Sequence, residues 1–346
     1  MFDVTVRGAG IFGLSIAWVC LQRGARVRVV DPHGVAAGAS GGLVGALAPH
    51  TPENWNPKKA FQFDALMRAG TFWDGVHEAS GIDPGYARAG RLQPVPDDRA
   101  LAMARTRATS ARDLWQGHAT WQVVRADSVG DWAPVSPTGW LIHDTLSARI
   151  HPRKASGALA AALRAGGAEI ATDASDAGRV VWANGVEGLY ALTRDLNRPM
   201  GNGVKGQAAL LDHDARTAAQ LFADGLHIVP HADGTTAIGS TSERTYDAAT
   251  TTDAQLDDVI ARALAAFPVL AGARVLERWA GVRPRAPSRA PMLGPWPGRA
   301  GHFIANGGFK IGFGVAPGVA DVMADLMLDG IDRIPDGFRV EDNLPR

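Results

Sequence analysis

The chain has 346 residues, 46% hydrophobic and 20% charged, which fits a globular protein of two domains, or one domain with a large insertion, rather than one small core. Its 35 basic and 35 acidic residues balance, so no net field draws it to nucleic acid or to an acidic membrane surface. The single cysteine, Cys20, excludes an internal disulfide framework and a multi-cysteine metal centre, and no metal is expected.

The first strand begins almost at Met1, which leaves no room for a secretory signal, and no apolar run approaches the roughly 20 residues that span a bilayer. A cytoplasmic location is the expectation. Val4 to Asp31 then reads as strand, turn, helix and strand. Gly8, Gly10 and Gly13 have the G-x-G-x-x-G spacing where an apolar strand hands over to a helix with Leu14, Ala17, Trp18 and Leu21 on one face. In that arrangement Gly8 permits the tight turn, Gly10 has no Cβ to block a pyrophosphate, and Gly13 lets the helix pack close to the strand. The helix N-terminus offers free N–H groups and a partial positive charge to the phosphates. Cys20, in the same helix, reads as a small buried thiol. A second strand, Arg26 to Val30, ends in Asp31, 18 residues past the last glycine, where an acceptor for a ribose hydroxyl belongs. In a chain with 41 glycines the triplet alone carries little; strand, helix, second strand and terminal acid together mark a dinucleotide cradle. The Asp31 carboxylate repels a 2′-phosphate, which disfavours NADP and leaves FAD and NAD open. Arg7 is out of pattern just before the first glycine, and its long stem lets the guanidinium reach solvent or a cofactor phosphate.

Pro32 to His50 is a small-residue loop in which Ser40, Gly41 and Gly42 can bring backbone donors close to a cofactor, with a plain connector as the alternative. His50, at its end, is a candidate to face a substrate or else a structural histidine. Lys58 to Ser80 has helical spacing, with Phe61, Leu66, Phe72, Trp73 and Val76 as core contacts. Arg91 to Pro94 reads as a short strand, Asp97 to Trp115 as a helix of an inserted domain, and Trp140 to His151 as strand. Pro152 to Gly167 is a helix, and Ala168 to Ala171 a strand. Val180, Val181 and Trp182 form another strand, and Ala183, Asn184 and Gly185 turn it into a helix, which implies a parallel neighbour for the first strand and a second contact with the nucleotide. Gly203 to Leu211, and Leu226 to Gly239 with a turn at Asp233-Gly234, read as separate antiparallel strands. Thr252 to Phe267 reads as a helix and Arg274 to Val282 as a strand. Gly307, Gly308, Gly312 and Gly314 then lead into a helix from Ala316 to Leu328, a second glycine-studded helix N-terminus.

With these segments in order, the chain resembles the D-amino-acid oxidase superfamily of FAD-dependent oxidoreductases, especially its glycine oxidase and sarcosine oxidase branches. The likeness runs end to end and rests on GAGIFGLSIAW with Asp31, GASGGLVGALAP, VVWANG, VKGQ, the VP-x-x-DG-x-x-x-IGST stretch, WAGVRP and GGFKIGFGVAP. It implies FAD rather than NAD, and an α/β fold, α+β overall: a Rossmann-like FAD-binding domain with a second substrate domain on an antiparallel sheet. The expected boundaries are 1–85, 140–202 and 280–346 for the FAD domain and 86–139 and 203–279 for the substrate domain. Gly8, Gly10, Ile11, Phe12, Gly13, Asp31, Pro32, Ser40, Gly41, Gly42, Ala183, Asn184, Gly185, Gly307, Gly308, Phe309 and Lys310 are the residues it places against FAD. The implied reaction oxidises a carbon–nitrogen bond of a small carboxylate-bearing amine, with oxygen or an electron-transfer acceptor as the final oxidant.

The resemblance also assigns substrate contacts. Arg283 falls on the arginine of the family's W-A-G-x-R-P signature, which clamps the substrate carboxylate in glycine and D-amino-acid oxidases, as a guanidinium fork does well; a structural arginine in an ion pair is the alternative. Lys310 matches the carboxylate-binding lysine of the sarcosine oxidase G-F-K motif. Both cations together fit a dicarboxylate, a bulkier acid, or one cation serving the flavin. Gly307 stands where the family usually has histidine, and no cysteine nearby can attach the flavin, so FAD is expected to be non-covalent. Tyr246 is the candidate pocket hydroxyl, whereas Tyr190 and Tyr86 read as structural. Two other readings stay open. One is a tRNA-modifying FAD module, against which the charge balance argues. The other is a flavin-binding subunit of a larger dehydrogenase complex, motivated by Gly307 and Asn184. Oligomeric state is not legible.

Overall fold

A computed structural model describes residues 1–344 of the chain. It begins with β1 (Val4–Arg7), α1 (Ile11–Gln22), β2 (Val27–Val30), β3 (Ala46–Leu47), α2 (Pro57–Ser80), β4 (Arg91–Pro94), α3 (Asp98–Leu114), β5 (Trp121–Arg125), β6 (Trp140–Asp144) and β7 (Ala148–Arg149). The middle runs α4 (Pro152–Ala165), β8 (Glu169–Ala171), β9 (Arg179–Trp182), α5 (Gly185–Leu196), β10 (Asn202–Asp212), β11 (Gln220–Ala223), β12 (Leu226–Pro230) and β13 (Thr236–Gly239). It closes with α6 (Ala254–Ala266), β14 (Arg274–Arg285), β15 (Met292–Pro295), β16 (His302–Asn306) and α7 (Gly312–Ala324).

Two large sheets organise these elements. The first has the order β15-β16-β9-β1-β2-β8 and is parallel except for β15 against β16. Short Val-rich strands such as VTVR and VRVV suit a sheet covered on both faces. The second has the order β14-β10-β13-β12-β11-β4-β6-β5 and is antiparallel apart from β11 against β4. The fold is therefore mixed α/β with a nucleotide-type parallel sheet beside a mainly antiparallel one, as the resemblance implies.

The structure refines several expectations. Helix α1 is buried all round from Ile11 to Cys20, not along one stripe, because it lies under the sheet and against α4 and α7. Cys20 is a free, fully buried thiol, and burial pushes it up to about 12. Trp140 to Asp144 and residues 280–285, both grouped above with the nucleotide segments, belong instead to the second sheet, as β6 beside β4 and β5 and as the end of β14 beside β10. The last helix starts at Gly312 rather than Ala316. Strands β5, β11, β15 and β16 were not anticipated. Each has four or five residues, and β11 and β16 are completed by β4 and β9, which are far away in sequence.

Candidate active site

Strands β1, β2, β9 and β16 run parallel, so their C-terminal ends share one edge of the sheet, and Gly8, Asp31, Ala183 and Gly307 follow directly there. The chain builds outward from β1 through β2 to β8 and then returns to β9 on the other side. The edge between β1 and β9 is thus the switch point where open α/β sheets hold ligands. A cavity of about 780 Å³ opens there, at the upper part of the range for ligand pockets, roughly 300–1,000 Å³.

At the β1 end the backbone is shaped by absent side chains. Gly8 has φ +116°, and a Cβ on it would strike the Ala183 carbonyl, so the β1–α1 and β9–α5 turns touch. A Cβ on Gly13 would strike the Gly8 carbonyl oxygen, which confirms the close strand–helix approach expected of the third glycine. Gly10 faces the Ser40 hydroxyl, and that hydroxyl accepts a hydrogen bond from the Ile11 N–H at 2.9 Å. Ser40 therefore caps α1 from 29 residues away and stays free to donate to a ligand. The Asp31 carboxylate accepts from the Ala9 N–H at 2.8 Å and the His33 N–H at 3.0 Å, which fixes it at the cavity wall. The Asn184 Oδ1 is buried in the cavity wall with no hydrogen-bond partner. Arg7 spends its guanidinium on Asp176 at 2.7 Å and on the Ala174 carbonyl at 2.8 Å, so it reaches the surface, as one of the two expectations had it, while its side chain also borders the cavity.

At the other end the cavity is walled by side chains of the second sheet. Gly206 and Gly281 sit opposite each other on β10 and β14, and the space where their side chains would stand holds the Arg283 guanidinium and the Trp279 ring. Arg283 donates from Nη1 to the Ser240 hydroxyl at 2.8 Å and from Nη2 to the Thr241 and Lys205 carbonyls at 2.6 and 3.2 Å. Its Nε makes a longer bond, 3.5 Å, to the Val204 carbonyl. Of the five donors of a guanidinium, one N–H on Nη1 is left for a ligand, so Arg283 is neither the ion-paired arginine considered above nor an open fork. Burial lowers it to about 10, and it stays charged at neutral pH.

Phe309 lies beneath these cations. Its backbone is left-handed at φ +39°, a conformation that costs a non-glycine residue roughly 1–3 kcal/mol, and its N–H is pinned to the Pro284 carbonyl at 3.1 Å. Lys310 is exposed to the opening and has no acidic partner within ion-pair distance among the described residues. Its ammonium is held below the ordinary lysine range first by loss of water and then by Arg283. His227 also lines this end, against the Phe222 ring at 4.6 Å; burial, then Arg91 and Lys310, push it down to about 3.

Of the residues singled out in the sequence, Gly8, Gly10, Ile11, Phe12, Asp31, Pro32, Ser40, Gly42, Ala183, Asn184, Gly185, Arg283, Gly307, Gly308, Phe309 and Lys310 all line this one cavity. Gly13 and Gly41 lie just behind it, and the Gly41 carbonyl accepts from Arg153 at 2.7 Å. Tyr246, expected to offer a pocket hydroxyl, is outside the cavity, with its hydroxyl beside Gly203 and close to Tyr190. His50 is also outside, bonded through its ring and its N–H to Gln62. Sequence reasoning did not single out Trp279, Phe222, His227 or Ser240, which reach the cavity through strand pairing. The WAGVRP stretch did contain Trp279.

The geometry fits a flavin dinucleotide. The glycines leave the α1 N-terminus open to a pyrophosphate, Asp31 and Ser40 offer an acceptor and a donor, and Asn184 presents an unmatched acceptor. The family model described as "DAO: FAD dependent oxidoreductase" matches residues 3–326. The glycine oxidase of Pseudomonas putida is 28% identical over 340 residues, covering 90% of each chain. Among solved structures, glycine oxidase from Geobacillus kaustophilus superposes with a TM-score of 0.86 over 99% of each chain at 20% identity. Iminodiacetate oxidase from Chelativorans sp. BNC1 does so at 0.83, also at 20% identity, covering 97% of this chain and 98% of its own. These two share the fold. With 324 residues of the chain inside the family match, the protein belongs to the D-amino-acid oxidase superfamily and is an FAD-dependent oxidoreductase.

Proposed function

We propose that this enzyme oxidises the carbon–nitrogen bond of a small amine or amino acid that carries a carboxylate, as the named glycine and iminodiacetate oxidases suggest. The observation that carries the reading is the placement of Arg283 and Lys310 at the end of the cavity away from Asp31, both close to Phe309. Bound FAD supplies the two-electron acceptor for the hydride from the substrate carbon next to nitrogen.

The protein's part is binding and electrostatics. Gly8, Gly10, Ser40 and Asp31 would hold the dinucleotide, and Gly307 and Gly308, whose missing side chains leave room for Ala286 and Phe12, would line the cavity at its ring end. Arg283, held by its carbonyl contacts, fixes the substrate carboxylate within the positive field that Lys310 adds, so the opposite end of the molecule presents its C–H bond. The same positive field opposes a protonated amine nearby, favouring the neutral amine whose lone pair assists hydride departure. No side-chain base is assigned to that proton: His227, held near 3, is too weak to take it, and the proton leaves to water through the open mouth. Loss of hydride leaves an iminium, and water hydrolyses it to a carbonyl compound and an amine.

The test is anaerobic absorbance of the purified holoenzyme before and after glycine, sarcosine, proline and a panel of D-amino acids. Bleaching of the flavin by one of them supports the reading, and a flavin that none of them bleaches sinks it. Peroxide formed in air then separates an oxidase from an enzyme that passes electrons to another acceptor.

A further inference from the structure

The substrate end of the cavity carries more positive charge than one carboxylate needs. On the cavity wall the Arg283 Cζ and the Lys310 Nζ stand 5.5 and 5.8 Å from the centre of the Phe309 ring, and the Arg285 Cζ, outside the wall, stands 5.9 Å from it. Among the described residues none of the three makes an ion pair, whereas buried cations elsewhere are matched: Arg91 by Asp144 at 3.0 Å and Lys205 by Glu243 at 3.4 Å. The acidic residues on the cavity wall, Asp31 and Glu187, belong to the end of β2 and the first turn of α5. The cations also oppose one another. Loss of water and then Arg283 lower Lys310, while Glu243 offsets part of the burial of Arg283 without pairing with it. Such a cluster is destabilising alone and is relieved by anions, each neutralising one cation.

Resting on the function proposed above, we infer that the substrate carries a second acidic group, so that Arg283 takes the carboxylate beside the reacting carbon and Lys310 takes the other. The division follows from the donors. Arg283 has one N–H to offer and is held rigid in the wall. Lys310 is uncommitted and sits on a flexible stem at the mouth, so it can follow an acid borne on nitrogen or on a side chain. The ligand class is an amine dicarboxylate, and the Phe309 ring between the cations gives its carbon chain an apolar floor.

The test compares pairs that differ by one carboxylate, in anaerobic flavin reduction by the holoenzyme: sarcosine with iminodiacetate, and D-alanine with D-aspartate. The dicarboxylate of at least one pair should have the higher kcat/KM by about tenfold or more, with the gain in KM and falling as salt is raised. Lys310→Met should bring that ratio to about one, and Lys310→Arg should restore part of it. As a readout apart from turnover, malonate should raise the melting temperature of the holoenzyme more than acetate does, and Lys310→Met should remove the difference. Reduction by monocarboxylates with no dicarboxylate preference, or a preference that Lys310→Met leaves intact, overturns the second acid while the proposed reaction stands. A flavin that no member of either pair reduces overturns both.

Discussion

The two ends of the cavity are built by opposite means. The dinucleotide end is made of backbone: Gly8, Gly10 and Gly13 stand within six residues of each other, and their work is to have no side chain. The substrate end is made of side chains from segments far apart: Trp279 and Arg283 on β14, His227 on β12, Phe222 on β11, and Phe309 and Lys310 before α7. Glycine matters there too, but as a floor, with Gly206 under Arg283 and Gly281 under Trp279. A backbone site tolerates no added atom, whereas a side-chain site can lose one group and keep the rest.

Gly13→Ala should break the first end outright. The new Cβ meets the Gly8 carbonyl and the Val6 side chain, both fixed in the β1–α1 core, so helix and strand must part. We expect a protein destabilised by about 3 kcal/mol and purified without flavin. The flavin-to-protein absorbance ratio and a thermal melt check this, and a variant that keeps its flavin would show that the close approach is dispensable.

At the other end, Arg283→Met should leave flavin bound and cost roughly 10²–10³-fold in kcat/KM for a carboxylate substrate, mostly through KM. Unchanged kinetics would remove Arg283 from substrate binding. Gly206→Ala tests the floor beneath it. The added methyl would lie 2.5 Å from Nη2 and 2.6 Å from Cζ, so the guanidinium must give up some of its bonds to Ser240, Thr241 and Lys205 to make room. KM should rise about tenfold, with stability lowered by about 1–3 kcal/mol. A KM within twofold of the native value would show that the guanidinium position is not limiting.

This asymmetry also explains what the sequence disclosed. The dinucleotide end was legible because the motif is local: turn, helix start, second strand and Asp31 fall within 28 residues and obey one steric logic. The Ser40 cap was only half legible. A serine in a glycine-rich loop suggests a donor, but nothing local says that it returns to Ile11. Arg283, Phe309 and Lys310 were found through the family resemblance, since no spacing rule brings β14 and the loop before α7 to the same point. The pairing of β10 with β14 and the Phe309 N–H bond to Pro284 do so. His227 was passed over because a histidine in a strand has no signal of its own.

His227 offers a further contrast, since the substrate end is charged by Arg283 and Lys310 and not by imidazole. Its folded value of about 3 lies below the ordinary 6.5, so between these values the unfolded chain binds the extra proton. Stability is full above 6.5 and falls as the pH drops toward 3, by at most about 1.4 kcal/mol per pH unit from this residue. His227→Phe should flatten the acid limb of a stability profile measured between pH 7.5 and 5. An unchanged slope would mean that the imidazole gains its proton inside the folded cavity.

The smallest effect belongs to Tyr246, which its place after the GSTSER stretch recommended as a pocket hydroxyl. Its side chain turns to Tyr190 on α5 and lies over Gly203, outside the cavity wall. A hydroxyl outside the cavity wall and next to an exposed tyrosine contributes about 1 kcal/mol or less to the fold. Tyr246→Phe should therefore keep kcat and KM within about twofold of the native values. A KM rise comparable to that of Gly206→Ala would instead place the β10–α5 contact within reach of the substrate, and would extend the side-chain end of the cavity beyond the wall formed by β14 and Phe309.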